Sequence, residues 1–254
     1  MDTYRKRRAG APPGFFACEA AGLRWLQVRG GAPVVEVLGI GPDHLDLVAL
    51  TEVPPTRRAA RELGRGLAVT HDAGASRFGS PPDGWPGDGF FGPLDQPLPM
   101  PAGDHERWGA FLADCRVEPL AAAAERRRAL GPDDLDLLRR LADRLRAGEW
   151  DDDDAPARLH GDLWSGNVLW TPQGATLIDP AAHGGHRESD LAMLALFGCP
   201  HLADVLDAYQ EVHPLGRGWQ HRVALHQVYP VGMHAVLFGG GYAAQLRRLA
   251  APYV

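Results

Sequence analysis

The sequence predicts an α+β fold in two lobes that share a cleft. Residues 3–50 mix strand-like and helix-like periodicity, Pro54-Pro55 interrupts the chain, and most of the remaining sequence is helical, with short strands only around 157–179. At 254 residues the chain has room for one large domain or two small ones. The expected boundaries are 1–53 for the small lobe and 54–254 for the mainly helical one.

From the N-terminus, Thr3-Tyr4-Arg5-Lys6 has room for a short strand. Residues 12–29 read as helix: Pro12 and Pro13 suit a helix entry, Phe16, Ala20, Leu23 and Leu26 recur at helical spacing, and Gly30-Gly31 ends the run. Residues 33–50 read as two strands around Gly41-Pro42-Asp43. Thr56 is placed to cap a helix reaching about His71, with Leu63 and Leu67 inward. Residues 72–103 are rich in Gly, Pro and Asp but carry Phe78, Trp85, Phe90 and Phe91, so a long ordered surface loop is expected. Helices are expected at about 104–128 and 133–147. The second has Asp133 as cap, Leu135, Leu138, Leu141 and Leu145 as its stripe, and Gly148 as its stop. The acidic run Asp151 to Asp154 reads as a solvated loop. Short strands at about 157–160, 167–170 and 175–179 precede a helical remainder from Glu188, in which Trp219 to about Ala250 reads as one long apolar-periodic stretch.

Composition excludes several classes. With 45% hydrophobic and 23% charged residues, the chain is not a disordered tail protein. No apolar run approaches the ~18–20 residues that span a bilayer. The basic N-terminus MDTYRKRRAG has no apolar stretch behind it, so no secretory signal is read. Cys18, Cys115 and Cys199 are too few and too scattered for a disulfide framework or a CxxC metal site. A soluble, reduced, cytoplasmic protein without a membrane partner is expected. A net charge of −6 argues against a nucleic-acid partner. Lys6 is the one lysine beside 25 arginines. A position that keeps lysine in such a chain points to a need for a compact ammonium rather than a planar guanidinium.

Residues 158–180, RLHGDLWSGNVLWTPQGATLIDP, hold the residues that carry chemistry. His160-Gly161-Asp162 is followed by Asn167 and, after a strand pair turning at Pro172-Gln173-Gly174, by Asp179. Phosphoryl transfer from a nucleotide needs such a set. One carboxylate accepts the proton of the attacking hydroxyl, while a second carboxylate and an amide oxygen hold Mg2+ between the phosphates. This is a kinase arrangement, HGDxxxxN and IDP standing for HRDxxxxN and DFG. A kinase lysine on a strand pairs with a glutamate on the next helix and holds the α- and β-phosphates. Lys6 and Glu19 stand where that pair is needed.

On RKRRAGAPPGFFACEAAGLRWL (5–26), LHGDLWSGNVLW (159–170), LIDPAAHGGHRESDLAMLALFG (177–198) and HAVLFGGGYAAQ (234–245), the chain resembles the fructosamine kinase (ketosamine kinase) family. That family is a branch of the aminoglycoside-phosphotransferase-like kinases, and the resemblance runs over nearly the whole chain. It implies a protein-kinase-like fold and ATP-dependent phosphorylation of a sugar hydroxyl on a ketosamine, small or protein-bound. The phosphorylated adduct then falls apart, which deglycates the amine. The resemblance also implies Asp162 as catalytic base, Asn167 and Asp179 as Mg2+ ligands, and Lys6 and Glu19 as the ion pair that holds ATP. Trp164 and His186 would line the site and contact the sugar, and Asp190 would brace the catalytic loop.

Departures leave other readings open. The family's glycine-rich strand–turn–strand would need on the order of 20 residues, and only five precede Lys6. The chain as given is therefore expected to lack the first part of its small lobe. Leu47-Val48-Ala49-Leu50 has no acidic residue where the hinge usually carries one, and His183 stands where an aromatic is usual. One rival is a related kinase acting on another small molecule, such as an aminoglycoside or an amino alcohol. The other is a non-catalytic pseudokinase, favoured by the missing glycine-rich loop and disfavoured by the intact set of five residues. His183 and His186 have no further ligands at zinc spacing, and no GxSxG or ordered Ser/His/Asp set suggests a hydrolase. Trp219, Tyr229 and Tyr242 are expected in the core. Which sugar, which hydroxyl and the oligomeric state are not legible.

Overall fold

The computed structural model describes residues 2–254. In the smaller lobe three strands, β1 (Thr3–Arg7), β2 (Val37–Ile40) and β3 (His44–Val48), form an antiparallel sheet in the order β1-β3-β2. Helix α1 (Phe15–Trp25) lays Phe16, Ala20 and Leu23 against Leu45 and Leu47 of β3. The helix is shorter than the expected 12–29. Gly14 sits at φ +81°, and the Pro12 carbonyl accepts from the Phe15 N–H, so the prolines shape a turn in front of the helix. Leu26 closes its last turn.

The larger lobe is mainly helical. Thr56 accepts a hydrogen bond from Ala59 N (3.2 Å) and starts α2 (Arg57–Asp72), with Leu63 and Leu67 buried as expected. Residues 72–103 are not simply a surface loop. They contain a hairpin of β4 (Gly89–Phe91) and β5 (Leu98–Met100), and Phe78, Phe91 and Met100 enter the main core. The expected helix at 104–128 is divided into α3 (Trp108–Leu112), a π-helical turn (Ala113–Val117) and α4 (Glu118–Arg127). At the π turn the buried Arg116 donates to the carbonyls of Pro101 and Cys115 (2.7 and 2.8 Å). Helix α5 (Pro132–Ala147) buries Leu138, Leu141 and Leu145, and Gly148 at φ +83° ends it. Its cap is Gly131 rather than Asp133. Pro132 takes the first helical position and leaves Asp133 in the first turn, where its charge favours the helix dipole.

The acidic run is not a solvated loop. Asp151 accepts from Gly109 N (2.6 Å), Asp152 meets His186 (3.1 Å) and Arg222 (3.0 Å), and Asp154 meets Arg187 (2.7 Å). Partners more than 30 residues away in the chain draw these carboxylates in.

Strand β6 (Ala157–Leu159) pairs with β9 (His183–Gly185), and β7 (Val168–Thr171) with β8 (Gly174–Leu177). Leu177 also exchanges backbone hydrogen bonds with Pro33 and Val35, tying the two lobes together beside the cleft. Helices α6 (Glu188–Leu196), α7 (Leu202–Val212), α8 (Val223–Phe238) and α9 (Tyr242–Ala250) complete the fold. The expected single stretch to Ala250 is broken between α8 and α9, where Gly239 and Gly240 take φ +65° and +64°. Tyr229 and Tyr242 are half-buried side chains packed against the main core, and Trp219 is half-buried outside it. Among the described residues no helix is long and apolar enough to cross a membrane.

Candidate active site

A cavity of about 560 Å³ lies between the lobes, lined by Lys6, Cys18, Glu19, Asp162, Trp164, Asn167 and Asp179 among others. Along β1 the side chains of Tyr4 and Arg5 face solvent, while Lys6 points into the cleft. Its Nζ lies 3.0 and 2.9 Å from the two oxygens of Glu19 on α1, and 3.1 Å from Asp179 Oδ1. Burial pulls the Lys6 ammonium down, but the carboxylates of Glu19 and Asp179 more than offset it and hold the pKa above the ordinary lysine value. Glu19 is pushed up by burial and by Asp179, with Lys6 opposing.

The loop after β6 is built for tight approach. Gly161 sits at φ +81°, and a Cβ there would run into the Ala181 carbonyl, so only glycine fits. Asp190 on α6 accepts the N–H groups of His160 (2.7 Å) and Gly161 (2.9 Å), and its Oδ2 lies 3.2 Å from His71 Nε2. His160 spans the loop, with Nε2 bonded to the Ile178 carbonyl (2.8 Å) and Nδ1 accepting from Asp162 N (3.2 Å). Burial lowers the His160 pKa, which keeps the ring neutral as a brace.

These bonds set three polar side chains against one another. Asn167 ends a short 3-10 turn (Ser165–Asn167) and donates to the Asp162 carbonyl (2.8 Å), Asp162 Oδ2 (3.2 Å) and the Asp179 carbonyl (3.4 Å). Among the described residues its amide oxygen has no hydrogen-bond donor. Asp179 follows β8 at φ +53°, a region non-glycine residues rarely occupy, and this turn aims its carboxylate at Lys6. Burial pushes the Asp162 carboxyl up to about 7; the Asn167 hydrogen bond opposes this and the charge of Asp179 adds to it. Hence Lys6, Glu19, Asp162, Asn167 and Asp179 share one cleft. The free amide oxygen of Asn167 and the half-exposed carboxylate of Asp179 are hard donors of the kind that suits Mg2+.

Trp164 also opens onto this cleft, 39% exposed. His186 does not. Its side chain is 1% exposed, does not line the cavity, and is bonded to Asp152. The expected sugar contact is corrected accordingly: Asp152 of the acidic run holds the ring away from the cavity lining. Sequence reading missed the hairpin residues Phe90 and Phe91 and the cluster Phe197, His234, Phe238 and Tyr242, which also line the cavity. The i, i+4 spacing of His234 and Phe238 was the available signal.

The sequence model of a family described as fructosamine kinase matches residues 6–253. A probable ketoamine kinase of Enterococcus faecium is 32% identical over 247 residues, spanning 97% of this chain and 85% of the relative. One from Thermus thermophilus is 34% identical over 238 residues, spanning 93% and 82%. The crystal structure of a fructosamine-3-kinase candidate from Thermobifida fusca superposes with a TM-score of 0.89 at 45% identity, covering 98% of this chain and 84% of that one. An aminoglycoside phosphotransferase in complex with ADP and hygromycin B shares the fold at a TM-score of 0.55 and 17% identity, covering 95% and 82%.

Proposed function

The chain belongs to the fructosamine kinase family, and on that premise we propose that it transfers the γ-phosphoryl group of ATP to a sugar hydroxyl of a ketosamine, with breakdown of the phosphorylated adduct and release of the amine as the outcome. The observation that carries this reading is the convergence of the Lys6–Glu19 pair, Asp162, Asn167 and Asp179 on one cleft. Asp162 Oδ orients the acceptor hydroxyl and takes its proton. The hydroxyl oxygen bonds to the γ-phosphorus as the bond to the β–γ bridging oxygen breaks, and ADP leaves. Lys6, held by Glu19, offers its ammonium to the α- and β-phosphates. Asn167 and Asp179 would hold Mg2+, which when bound neutralises phosphate charge. His160 and Asp190 touch neither reactant. They keep the Asp162 loop in place.

The acceptor's identity rests on family membership. An aminoglycoside-like acceptor has only the shared fold in its favour. A scaffold without transfer would have no use for all five residues. A cytoplasmic setting belongs to the same proposal, supported by three free thiols, and a net charge of −6 supports a small-molecule or protein acceptor over nucleic acid.

The test is ADP release by the full chain with Mg-ATP and fructosyl- or ribulosyl-lysine. Release should depend on the ketosamine and fall by a factor of ~10³ in Asp162→Asn, with the thermal unfolding transition retained. Equal release from the variant would overturn the role of Asp162.

A further inference from the structure

The cleft opens beside the end of α8 onto aromatic side chains that the phosphoryl-transfer set does not use. Phe197, His234, Phe238 and Tyr242 all line the cavity. His234 is their hub, with ring centroids 5.0 Å from Phe197, 5.4 Å from Phe238 and 5.2 Å from Tyr242. Phe197 in turn meets Trp164 edge-on at 6.2 Å. The local sequence builds this collar. His234 and Phe238 lie one helical turn apart, and the Gly239-Gly240 break folds α9 back so that Tyr242 returns to His234. Phe238 is 59% exposed and Phe197 38%, an apolar surface left open at the mouth of the cavity.

The polar atoms among these rings are the Tyr242 hydroxyl and the two His234 nitrogens. His234 Nδ1 lies 2.7 Å from the Pro230 carbonyl, an acceptor that only an N–H can satisfy. Nδ1 therefore carries the proton and Nε2 the lone pair. Burial holds the His234 pKa below the ordinary histidine value, which favours the neutral ring. The charged residues lining the cavity, Lys6, Glu19, Asp162 and Asp179, are all engaged in the phosphoryl-transfer set.

We infer that the collar is the subsite for the amine half of the acceptor, receiving the ketosamine ammonium at His234 Nε2 and against the aromatic faces, and its apolar substituent over Phe238 and Phe197. This rests on the reading of the acceptor as a ketosamine. A secondary ammonium supplies the N–H that the histidine lone pair accepts and the charge that aromatic faces attract. An alkyl or aryl substituent covers exposed ring surface, whereas an anionic substituent finds no free cation there among the described residues, Lys6 being held by Glu19 and Asp179. The collar therefore selects for apolar substituents on the nitrogen.

The test compares two ketosamines with the same sugar, fructosyl-benzylamine and fructosyl-methylamine, as acceptors for the full chain with Mg-ATP. The wild type should favour the benzyl compound at least tenfold in kcat/KM, mainly through KM. Phe238→Ala should raise KM for the benzyl compound at least tenfold more than for the methyl compound. Phe238 is largely exposed, so this variant should fold. His234→Phe, which keeps a ring but loses the acceptor nitrogen, should raise KM for both. A wild type indifferent to the substituent, or a Phe238→Ala variant that keeps the preference, overturns the collar's role while turnover of the methyl compound leaves the kinase reading standing. Turnover of neither compound overturns the kinase reading, and the collar's role with it.

Discussion

Lys6 is the single ammonium in an arginine-rich chain, and it lies between two carboxylates. A guanidinium is planar and wide, and it could not occupy that gap with the same three contacts. Glu19 is 7% exposed, so removing its charge leaves Lys6 with Asp179 alone. Glu19→Gln should raise KM for ATP at least tenfold and lower stability by ~1–3 kcal/mol, read from nucleotide titrations and urea unfolding. An unchanged KM would separate the pair from nucleotide binding. The five polar residues of the cleft were legible in the sequence because three lie in a motif of fixed spacing and one is the chain's single lysine, and the structure brings them together. His186 was misread because its motif says nothing of where the ring points. Asp152, 34 residues upstream, decides that.

At the scale of elements, the contact between α2 and α7 shows how magnitudes decide a sign. Gly64 lies inside α2, where alanine would improve helix propensity by about 1 kcal/mol. A Cβ there, however, would run into the Val205 carbonyl and come within 3.0 Å of Tyr209 N, both backbone atoms of α7. Backbone cannot swing aside as a side-chain tip can, so the clash wins. Gly64→Ala should destabilise the fold by ~1–3 kcal/mol, seen as a lower melting temperature; a higher one would show that the helices can separate without loss. Helices α2 and α5 were legible because their apolar stripes repeat over four turns and their ends carry Thr56 and Gly148. The hairpin of β4 and β5 was not, since three-residue strands give period-two alternation too few repeats to register. The π turn at 113–117 was also hidden, because its Arg116 contacts depend on chain that packs there only in the folded state.

For the whole molecule, buried histidines set the response to acid. Burial, helped by the charge of Arg116, pulls His183 down to about 3. Burial takes His226 down to about 4 against the pull of Glu188. In the unfolded chain both would titrate near the ordinary histidine value of ~6.5. From these two rings the unfolded state binds two more protons than the folded one between about 6.5 and 4, and Asp162, pushed up to about 7 in the fold, offsets one of them. The histidine contribution is full above that window and falls as pH drops through it. Glu188, held down at about 2, adds a further loss at lower pH in the same direction, because its folded-state advantage exists only while it is ionised. Melting temperatures from pH 8 to pH 4.5 should therefore decline by several degrees, the decline beginning near pH 6.5; a flat profile would mean these rings are not buried neutral. The α+β class, the order of the main helices and strands, and the five residues that meet in the cleft could be read from the chain alone, because each depends on neighbours within a few turns or on a motif of fixed spacing. The fates of Asp151, Asp152 and Asp154, the position of His186, the second partner of Lys6 and the aromatic collar drawn from residues 197 and 234–242 came only with the tertiary structure. Each depends on a partner far along the chain, and local sequence carries no energy term for a contact that exists only after the chain has folded back on itself.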